Sequence, residues 1–307
     1  YQTDSLMADY SETDVPDQSG KTVLVTGANT GIGYDTARVL AGRGARVLLG
    51  CRSEDKALQA MAKIRVSHPD ADVDWVALDL TSLSSIAAAA EQVNNEDRLD
   101  LLINNAGVMV PPKTLTEDGF ELQFGVNHLG HFALTGHLVG KLKDQPGGRV
   151  VNVSSLAHRS GQIDYADIHA EKNYSALKRY SMSKFANILF TYELQRRLTT
   201  AGSPLISVAS HPGASATELS RYIPKFMALL FAPFALIMNT SAQGALPSLM
   251  AASAAGVVGG DYYGPMRMGE MQHSARKVDT IAHAKNEQDA ARLWAVSEDL
   301  TGVSYAL

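Results

Sequence analysis

The sequence of 307 residues contains very little cysteine and no long run of apolar residues. Cys51 is the only cysteine, so an internal disulfide is impossible and a zinc site built from several thiolates is excluded. A lone thiol fits a reducing, cytoplasmic setting, which is the location we expect. The longest uncharged apolar stretch, residues 226–238, has thirteen residues and contains Pro233. A membrane-spanning helix needs about twenty residues, so we expect no transmembrane segment.

Basic residues are scattered, and the formal net charge is −5. No run of Lys and Arg is longer than two residues, which argues against a nucleic-acid partner. Residues 1–20 are polar and lack the apolar run of a signal peptide. We expect them to form a flexible leader before a single domain that covers residues 21–307.

Short apolar or β-branched runs alternate along the chain with longer stretches of helical periodicity. The predicted strands cover residues 21–27, 45–51, 73–78, 99–105, 148–155 and 205–210. The predicted helices cover residues 32–43, 55–67, 83–94, 121–143 and 176–200. Nearly continuous apolar strands between helices indicate a parallel sheet covered on both faces. The sequence therefore predicts one α/β domain of the Rossmann type, a doubly wound sheet whose strand C-terminal ends form a ligand crevice.

The first predicted strand runs directly into the stretch TGANTGIG, which contains Gly27, Gly31 and Gly33 and leads into a helix. Glycines in this position allow a tight turn and a close approach of the backbone to a pyrophosphate. The following helix directs free N–H groups and the positive end of its dipole towards the phosphates. Three glycines alone also occur in ordinary turns, but the place between a strand and a helix favours dinucleotide binding.

Tyr180 and Lys184, in the stretch YSMSK, lie one helical turn apart on the same face of a predicted helix. Reduction of a carbonyl needs a proton donor, and a phenol ordinarily has a pKa near 10. The charge of Lys184 would stabilise the phenolate and make Tyr180 a usable acid. Ser155, at the end of a predicted strand, could hydrogen-bond the substrate oxygen, and Ser154 is its rival.

Six short motifs resemble those of the short-chain dehydrogenases/reductases in order and spacing. They are TGANTGIG (26–33), NNAG (104–107), FGVNHLGHF (124–132), VVNVSS (150–155), YSMSK (180–184) and HPG (211–213). The stretches LGCRS, VNVSSLAH, NILFTYELQRRL and RLWAVSEDLTG are most similar to the retinol-dehydrogenase-like branch of that family. The resemblance covers about residues 20 to 307.

This resemblance implies a catalytic group of Asn127, Ser155, Tyr180 and Lys184. Lys184 would also hold the nicotinamide ribose, and Asn127 would order a water that relays protons to that lysine; a purely structural role for Asn127 is the alternative. The cofactor-binding residues implied are Gly27, Asn29, Thr30, Gly31, Ile32, Gly33, Arg52, Asp79, Leu80, Asn105, Ala106, Gly107, Tyr180, Lys184, Pro212, Gly213 and Thr217. For Asp79, which would meet the adenine amino group, a helix N-cap is a competing interpretation.

Arg52 determines the coenzyme that we expect. Relatives that use NAD place a carboxylate at the end of the second strand, where this sequence has Cys51, which neither accepts a strong hydrogen bond nor repels a phosphate. Arg52 follows, and its guanidinium suits a 2′-phosphate. We therefore expect NADP(H) to be preferred and NAD(H) to be possible. The alternative is a solvated surface arginine.

His128 and His131 have the spacing of two metal ligands on a helix, but no third ligand supports them, and packing roles are expected instead. A serine hydrolase is rejected, since the sequence has no Gly-x-Ser-x-Gly elbow around Ser155. No metal is expected.

The sequence as a whole predicts an oxidoreductase that transfers hydride between a nicotinamide dinucleotide and a carbonyl or alcohol, reducing an apolar aldehyde or ketone. The alternatives are an epimerase or dehydratase of the wider family, and a non-catalytic dinucleotide-sensing module. Residues 226–238 lie where relatives have a substrate lid, although a buried helix is an equal alternative. Relatives often pair subunits through the helices at 121–143 and 176–200, which makes a homo-oligomer an expectation.

Overall fold

The computed structural model describes residues 9–214 and 239–307. Its strands are β1 Thr22–Thr26, β2 Arg46–Cys51, β3 Val73–Ala77, β4 Leu101–Asn104, β5 Arg149–Val153, β6 Ile206–Ser210, β7 Tyr262–Arg267 and β8 Gln272–Val278. They form one sheet in the order β3-β2-β1-β4-β5-β6-β7-β8. Neighbours from β3 to β7 pair in parallel, and β8 is antiparallel to β7. The predicted Rossmann-type α/β fold is confirmed.

Helices cover both faces of this sheet. They are α1 Gly31–Gly42, α2 Glu54–Ser67, α3 Leu83–Asn94, α4 with its last part at Gly130–Leu142, α5 Ala176–Thr200, α6 Ser241–Ser253 and α7 Glu287–Thr301. Apolar side chains of α1, α2 and α6 pack with those of the strands in one core cluster. Those of α3, α4 and α5 pack in a second cluster on the other face. The alternation of buried strand residues between the two clusters explains why the strands are apolar throughout.

The chain reverses its direction of travel through the sheet between β3 and β4. After β3 at one edge it crosses to the far side of β1, so α1 and α2 lie on one face and the next three helices, α3, α4 and α5, lie on the other, while α6 returns to the first face. Such a switch point opens a crevice at the carboxyl ends of the two central strands. The ends of β1 and β4, at Thr26 and Asn104, therefore define where a ligand can enter.

Helix α4 is not the continuous α-helix that its sequence predicts. An α-turn at Leu122–Phe124 is followed by a π-helical segment at Gly125–Leu129 and then by the α-helix at Gly130–Leu142. The wider π turn brings Asn127 fully inside the protein. Short π segments of this kind are common at functional sites.

The outer faces of α4 and α5 pack against a later part of the same chain. Trp294 of α7 is 2% exposed, and its ring centroid lies 5.1 Å from that of Phe132 in α4 and 5.9 Å from that of Phe190 in α5. Beyond α7, the Tyr305 hydroxyl donates to the Phe132 carbonyl oxygen at 2.6 Å. We call residues 287–307 the C-terminal cover.

The described part of the N-terminal segment differs from the flexible leader that we expected over residues 1–20. Residues 9–20 are packed against the domain and do not form a flexible leader, because Val15 and Gln18 are buried and Arg38 pairs with Glu12 at 2.6 Å. Residues 1–8 lie outside the described ranges, as do Thr217 and residues 226–238. Across the part of the chain that is described, no helix is long and apolar enough to cross a membrane.

Candidate active site

The glycine turn after β1 has the backbone that its sequence requires. Gly27 and Gly31 adopt positive φ angles of 69° and 60°, which side chains disfavour. At Gly33, a Cβ would lie 2.6 Å from the Gly27 carbonyl oxygen and would overlap the amide of Asn105. The side chain of Thr30, the N-cap of α1, makes no capping bond. The first N–H groups of α1 are therefore open to a phosphate ligand.

The ends of β1 and β4 are fastened together by Thr26. Its Oγ1 accepts hydrogen bonds from the N–H groups of Asn105 and Ala106, both at 2.9 Å. The Asn105 side chain donates to the Thr26 carbonyl oxygen at 2.8 Å. Asn105 thus links the two strand ends beside the crevice through its partly buried side-chain amide.

His131 connects this brace to helix α4. Its Nδ1 lies 3.1 Å from the carbonyl oxygen of Asn127, which only accepts, so Nδ1 carries the proton. Its Nε2 then accepts from the Thr26 hydroxyl at 2.9 Å. Burial lowers the pKa of His131 to about 4, so the ring is neutral and holds this tautomer.

The Asn127 side chain forms hydrogen bonds with the backbone of Val108, beside the cleft. Its Oδ1 accepts from the Val108 N–H at 2.8 Å, and its Nδ2 donates to the Val108 carbonyl oxygen at 3.0 Å and to Ser183 Oγ at 2.9 Å. Both amide protons are used, so a relay water at Asn127 would have to donate to one of its oxygens. A Cβ on Gly107 would lie 3.2 Å from Asn127 Oδ1 and 3.5 Å from Lys184 Nζ, which places these two groups beside the same glycine.

Tyr180 and Lys184 lie one turn apart on α5, as predicted, and both line the cleft. They are 3% and 2% exposed. Lys184 Nζ donates to the Val153 carbonyl oxygen at 3.1 Å and lies 5.8 Å from the centroid of the Tyr180 ring. A nearby cation stabilises a phenolate, whereas burial of a phenol opposes its ionisation, so the two effects act against each other in this site.

The structure separates the two candidate serines. Ser154 is fully buried and its hydroxyl donates to the Lys184 carbonyl oxygen at 2.7 Å. Ser155 caps the short 3₁₀ helix Leu156–Ser160, where its Oγ accepts from the Ala157 N–H at 3.2 Å. Over residues 9–214 and 239–307 no acceptor for the Ser155 hydroxyl proton is present.

One cleft of about 210 Å³ joins the glycine turn to the Tyr–Lys pair. Val108 and Met109, which the motifs do not single out, form part of its wall; their position directly after NNAG was the available signal. The other predicted residues that line it are Gly27, Asn29, Thr30, Gly31, Ile32, Gly33, Asn105, Ala106, Gly107, Tyr180 and Lys184. Some predicted site residues lie outside the lining of this cleft. They are Arg52, Asp79, Leu80, Asn127, Ser155, Pro212 and Gly213.

Arg52 and Asp79 lie next to each other at the ends of β2 and β3. Arg52 Nη1 is 3.5 Å from Asp79 Oδ2, and the Arg52 side chain is 75% exposed. Asp79 Oδ1 accepts from the N–H and hydroxyl of Thr81 at 2.9 and 2.8 Å. The residue that caps α3 is Ser82, which accepts from the Ser85 N–H. The N-cap interpretation of Asp79 is therefore wrong.

Among the histidines, His128 has a packing environment. Its Nε2 lies 2.8 Å from Ser297 Oγ, and its ring is within 6.2 Å of the rings of Phe124, Phe132 and Phe190. Burial lowers its pKa to about 3. Among the residues the structure describes, no group of three His, Cys, Asp or Glu side chains is placed to hold a metal ion.

Comparison with known proteins gives consistent results. A sequence profile described as short chain dehydrogenase matches residues 21–227. Human retinol dehydrogenase 12 is 43% identical over 289 residues, which is 93% of this chain and 88% of that protein. Human retinol dehydrogenase 11 is 44% identical over 287 residues, 92% of this chain and 86% of that protein.

Comparison with solved structures finds chains with a similar fold. A putative uncharacterized protein from Mycobacterium paratuberculosis has a TM-score of 0.83 and 41% identity, and the match covers 97% of this chain and all of that one. A putative short chain dehydrogenase from Pseudomonas syringae, at 24% identity and a TM-score of 0.63, covers 83% of this chain and 98% of its own, and shares the fold.

Proposed function

This chain belongs to the short-chain dehydrogenase family of oxidoreductases, which act with a nicotinamide dinucleotide, and on that premise we propose that it reduces an apolar aldehyde or ketone with NADPH. One observation carries the proposal: the glycine turn, Tyr180 and Lys184 line a single cleft. A dinucleotide seated on the turn would bring its nicotinamide end to the side chains that can supply a proton.

The residues present fit the dinucleotide. Gly33 has no room for a Cβ, and the side chain of Thr30 leaves the N–H groups of α1 open to a pyrophosphate. Lys184 would hold the ribose hydroxyls, while Pro212 and Gly213 follow β6 at the same edge of the sheet. When bound, the reduced nicotinamide supplies the hydride that carbonyl reduction needs.

The chain's own groups then handle the oxygen and the proton. The Ser155 hydroxyl donates to the substrate oxygen and stabilises the negative charge that develops there. Tyr180 gives its phenolic proton to that oxygen, and Lys184 stabilises the resulting phenolate. Asn127 fixes Val108 and Ser183 around this site and would hold the relay water through an oxygen atom.

The preference for NADPH is supported by the charges at the end of β2. Arg52 is mostly exposed, and its contact with Asp79 is long, so a 2′-phosphate can reach the guanidinium. Burial raises the pKa of the Cys51 thiol to about 11, so this position carries no negative charge that would repel a phosphate. A cytoplasmic location, suggested by the single cysteine, is part of the same proposal.

The test is to follow the loss of reduced-nicotinamide absorbance with NADPH, then NADH, against a panel of aldehydes and ketones. We expect turnover with NADPH, and a higher kcat/KM for a medium-chain or aromatic aldehyde than for a short hydroxylated one. Dinucleotide binding without turnover on any carbonyl would favour a sensing module. Turnover of a sugar nucleotide without net oxidation would favour an epimerase.

A further inference from the structure

Glu270, in the turn between β7 and β8, contacts two loops of the active site at once. Its Oε2 lies 2.8 Å from Arg159 Nη2 and 3.2 Å from His211 Nε2. Arg159 belongs to the 3₁₀ helix that begins directly after Ser155. His211 follows the end of β6 and begins the His-Pro-Gly stretch. Neither of these two contacts was expected from the motifs.

The hydrogen bonds around His211 define its orientation. The Gly213 N–H donates to His211 Nδ1 at 3.2 Å, so Nδ1 is the acceptor and Nε2 carries the proton that it donates to Glu270. The His211 side chain is fully buried. Its ring lies against Gly264 of β7, where any Cβ would overlap Nε2. This contact is built into the sheet and does not depend on a surface rotamer.

The backbone that presents Glu270 is strained. Met268, Gly269 and Glu270 have successive positive φ angles of 52°, 67° and 69°. Two of these residues have side chains, which makes the left-handed region unfavourable for them. Local strain of this kind persists where surrounding contacts stabilise it, and here the carboxylate of Glu270 is only 16% exposed between its two partners.

We propose that Glu270 is a positioning residue that fixes the loop of Ser155 against the loop of Pro212 and Gly213. The path runs from Ser155 through Arg159 to Glu270, and from Glu270 through His211 to the Gly213 N–H. In the proposed function Ser155 orients the substrate oxygen, and Pro212 and Gly213 bind the dinucleotide, so the carboxylate would set the distance between the two reactants. This inference rests on the proposed function.

The test compares Glu270→Gln, Arg159→Met and the double variant by steady-state kinetics. Glu270→Gln keeps an acceptor for His211 but removes the charge opposite Arg159. We expect each single change to lower kcat by about tenfold, with the dinucleotide dissociation constant within about twofold. The double variant should lose no more than either single one, because both break the same contact.

Glu96→Gln is the matched control. It removes another partly buried carboxylate that pairs with an arginine, Arg46, at 2.7 Å, but at the start of β2, away from the cleft. We expect it to lower the melting temperature without changing kcat. If Glu270→Gln behaves in the same way, with normal kcat, Glu270 serves only the fold and the proposal is wrong.

Amide hydrogen exchange supplies a readout that needs no substrate. In Glu270→Gln, protection should fall together in residues 156–161 and 211–214 and remain unchanged in α1. Loss confined to residues 268–272 would overturn the inference. The two possible failures are separable: absence of turnover in the unmodified protein contradicts the proposed function, whereas normal turnover in Glu270→Gln contradicts only the role of Glu270.

Discussion

Tyr180 is the side chain on which the proposed chemistry depends most. It is 3% exposed on α5 and lines the cleft beside Lys184. Tyr180→Phe removes the proton and little volume, so we expect kcat to fall about a thousandfold while dinucleotide affinity changes by less than about threefold. Rapid kinetics and dinucleotide fluorescence measure the two quantities.

Tyr192→Phe is the control for that experiment. Tyr192 lies on the same helix, and its hydroxyl is 2.8 Å from Thr280 Oγ1, outside the residues that line the cleft. We expect it to lower the free energy of unfolding by about 1 kcal/mol and to leave turnover unchanged. Near-normal turnover in Tyr180→Phe would remove the phenol from the mechanism.

Substitution of Arg52 tests the proposed preference for NADPH over NADH. Arg52→Ala should weaken NADPH binding by about tenfold to a hundredfold, which corresponds to a charge-assisted contact of roughly 1.5–3 kcal/mol, and leave NADH nearly unchanged. Arg46→Ala, at the opposite end of β2, should affect both dinucleotides equally. Equal losses for both dinucleotides in Arg52→Ala would show that Arg52 supports the fold and does not read the phosphate.

At the scale of one element, the turn into α1 depends on the absence of side chains. Gly33→Ala places a methyl group against the Gly27 carbonyl oxygen, so the turn must open and we expect dinucleotide affinity to fall by more than about tenfold. Gly140 in α4 offers a matched control, because a Cβ there meets nothing within 4 Å. Gly140→Ala should stabilise the protein by up to about 1 kcal/mol. Unchanged dinucleotide affinity in Gly33→Ala, measured by titration, would contradict the close approach of backbone to phosphate.

The elements that the sequence predicted well are those with unbroken apolar patterns. Strands β1 to β6 and helices α1, α2, α3 and α5 lie within a residue or two of their predicted bounds. Helix α6 contains Pro247, and β7 contains Gly264 and Pro265, so their patterns are interrupted and tertiary packing decides their conformation.

Only part of the site could be predicted from the sequence, because some of its contacts join residues that are far apart in the chain. The glycine turn, Tyr180 and Lys184 belong to local patterns, and the structure brings them together in one cleft. The π segment of α4 has no local signal in the sequence, and its residue Asn127 contacts Val108, nineteen residues earlier. The contact of Glu270 with Arg159 spans still more of the chain, and no motif records it.

At the scale of the whole molecule, buried neutral histidines make stability depend on pH. Burial lowers the pKa of His131 and of His158 to about 4. In the unfolded chain a histidine has a pKa of about 6.5, so the unfolded state binds more protons below that pH and stability falls as pH falls. We expect each of these residues to cost about 2 kcal/mol at about pH 5.

Urea unfolding between about pH 7.5 and pH 5 checks this expectation. His131→Gln should reduce the dependence of the free energy of unfolding on pH, because it removes one of the groups that take up a proton on unfolding. A free energy of unfolding that stays constant over this range would contradict neutral histidines in the folded state.

The C-terminal cover bears on assembly. It occupies the outer faces of α4 and α5, the two helices at which the sequence resemblance led us to expect subunit pairing. We therefore expect a monomer of 32.9 kDa by light scattering. Tyr305→Ala should lower the free energy of unfolding by about 3 kcal/mol and favour association, whereas Leu177→Ala, at a residue 60% exposed, should change it by less than about 0.5 kcal/mol. A dimer with α4 protected from exchange would contradict this expectation.

The same cover has a consequence for the order in which the chain is made. Phe132 contacts Tyr305, which lies 173 positions later in the chain. Phe132 therefore cannot be fully covered until Tyr305 has been synthesised. During synthesis, at about 5–20 residues per second, the sheet's core helices emerge many seconds before the segment that shields them. We therefore expect the nascent chain to expose the aromatic outer face of α4 and α5 until the C-terminal cover has been synthesised. Dependence on chaperones should be greatest during this interval.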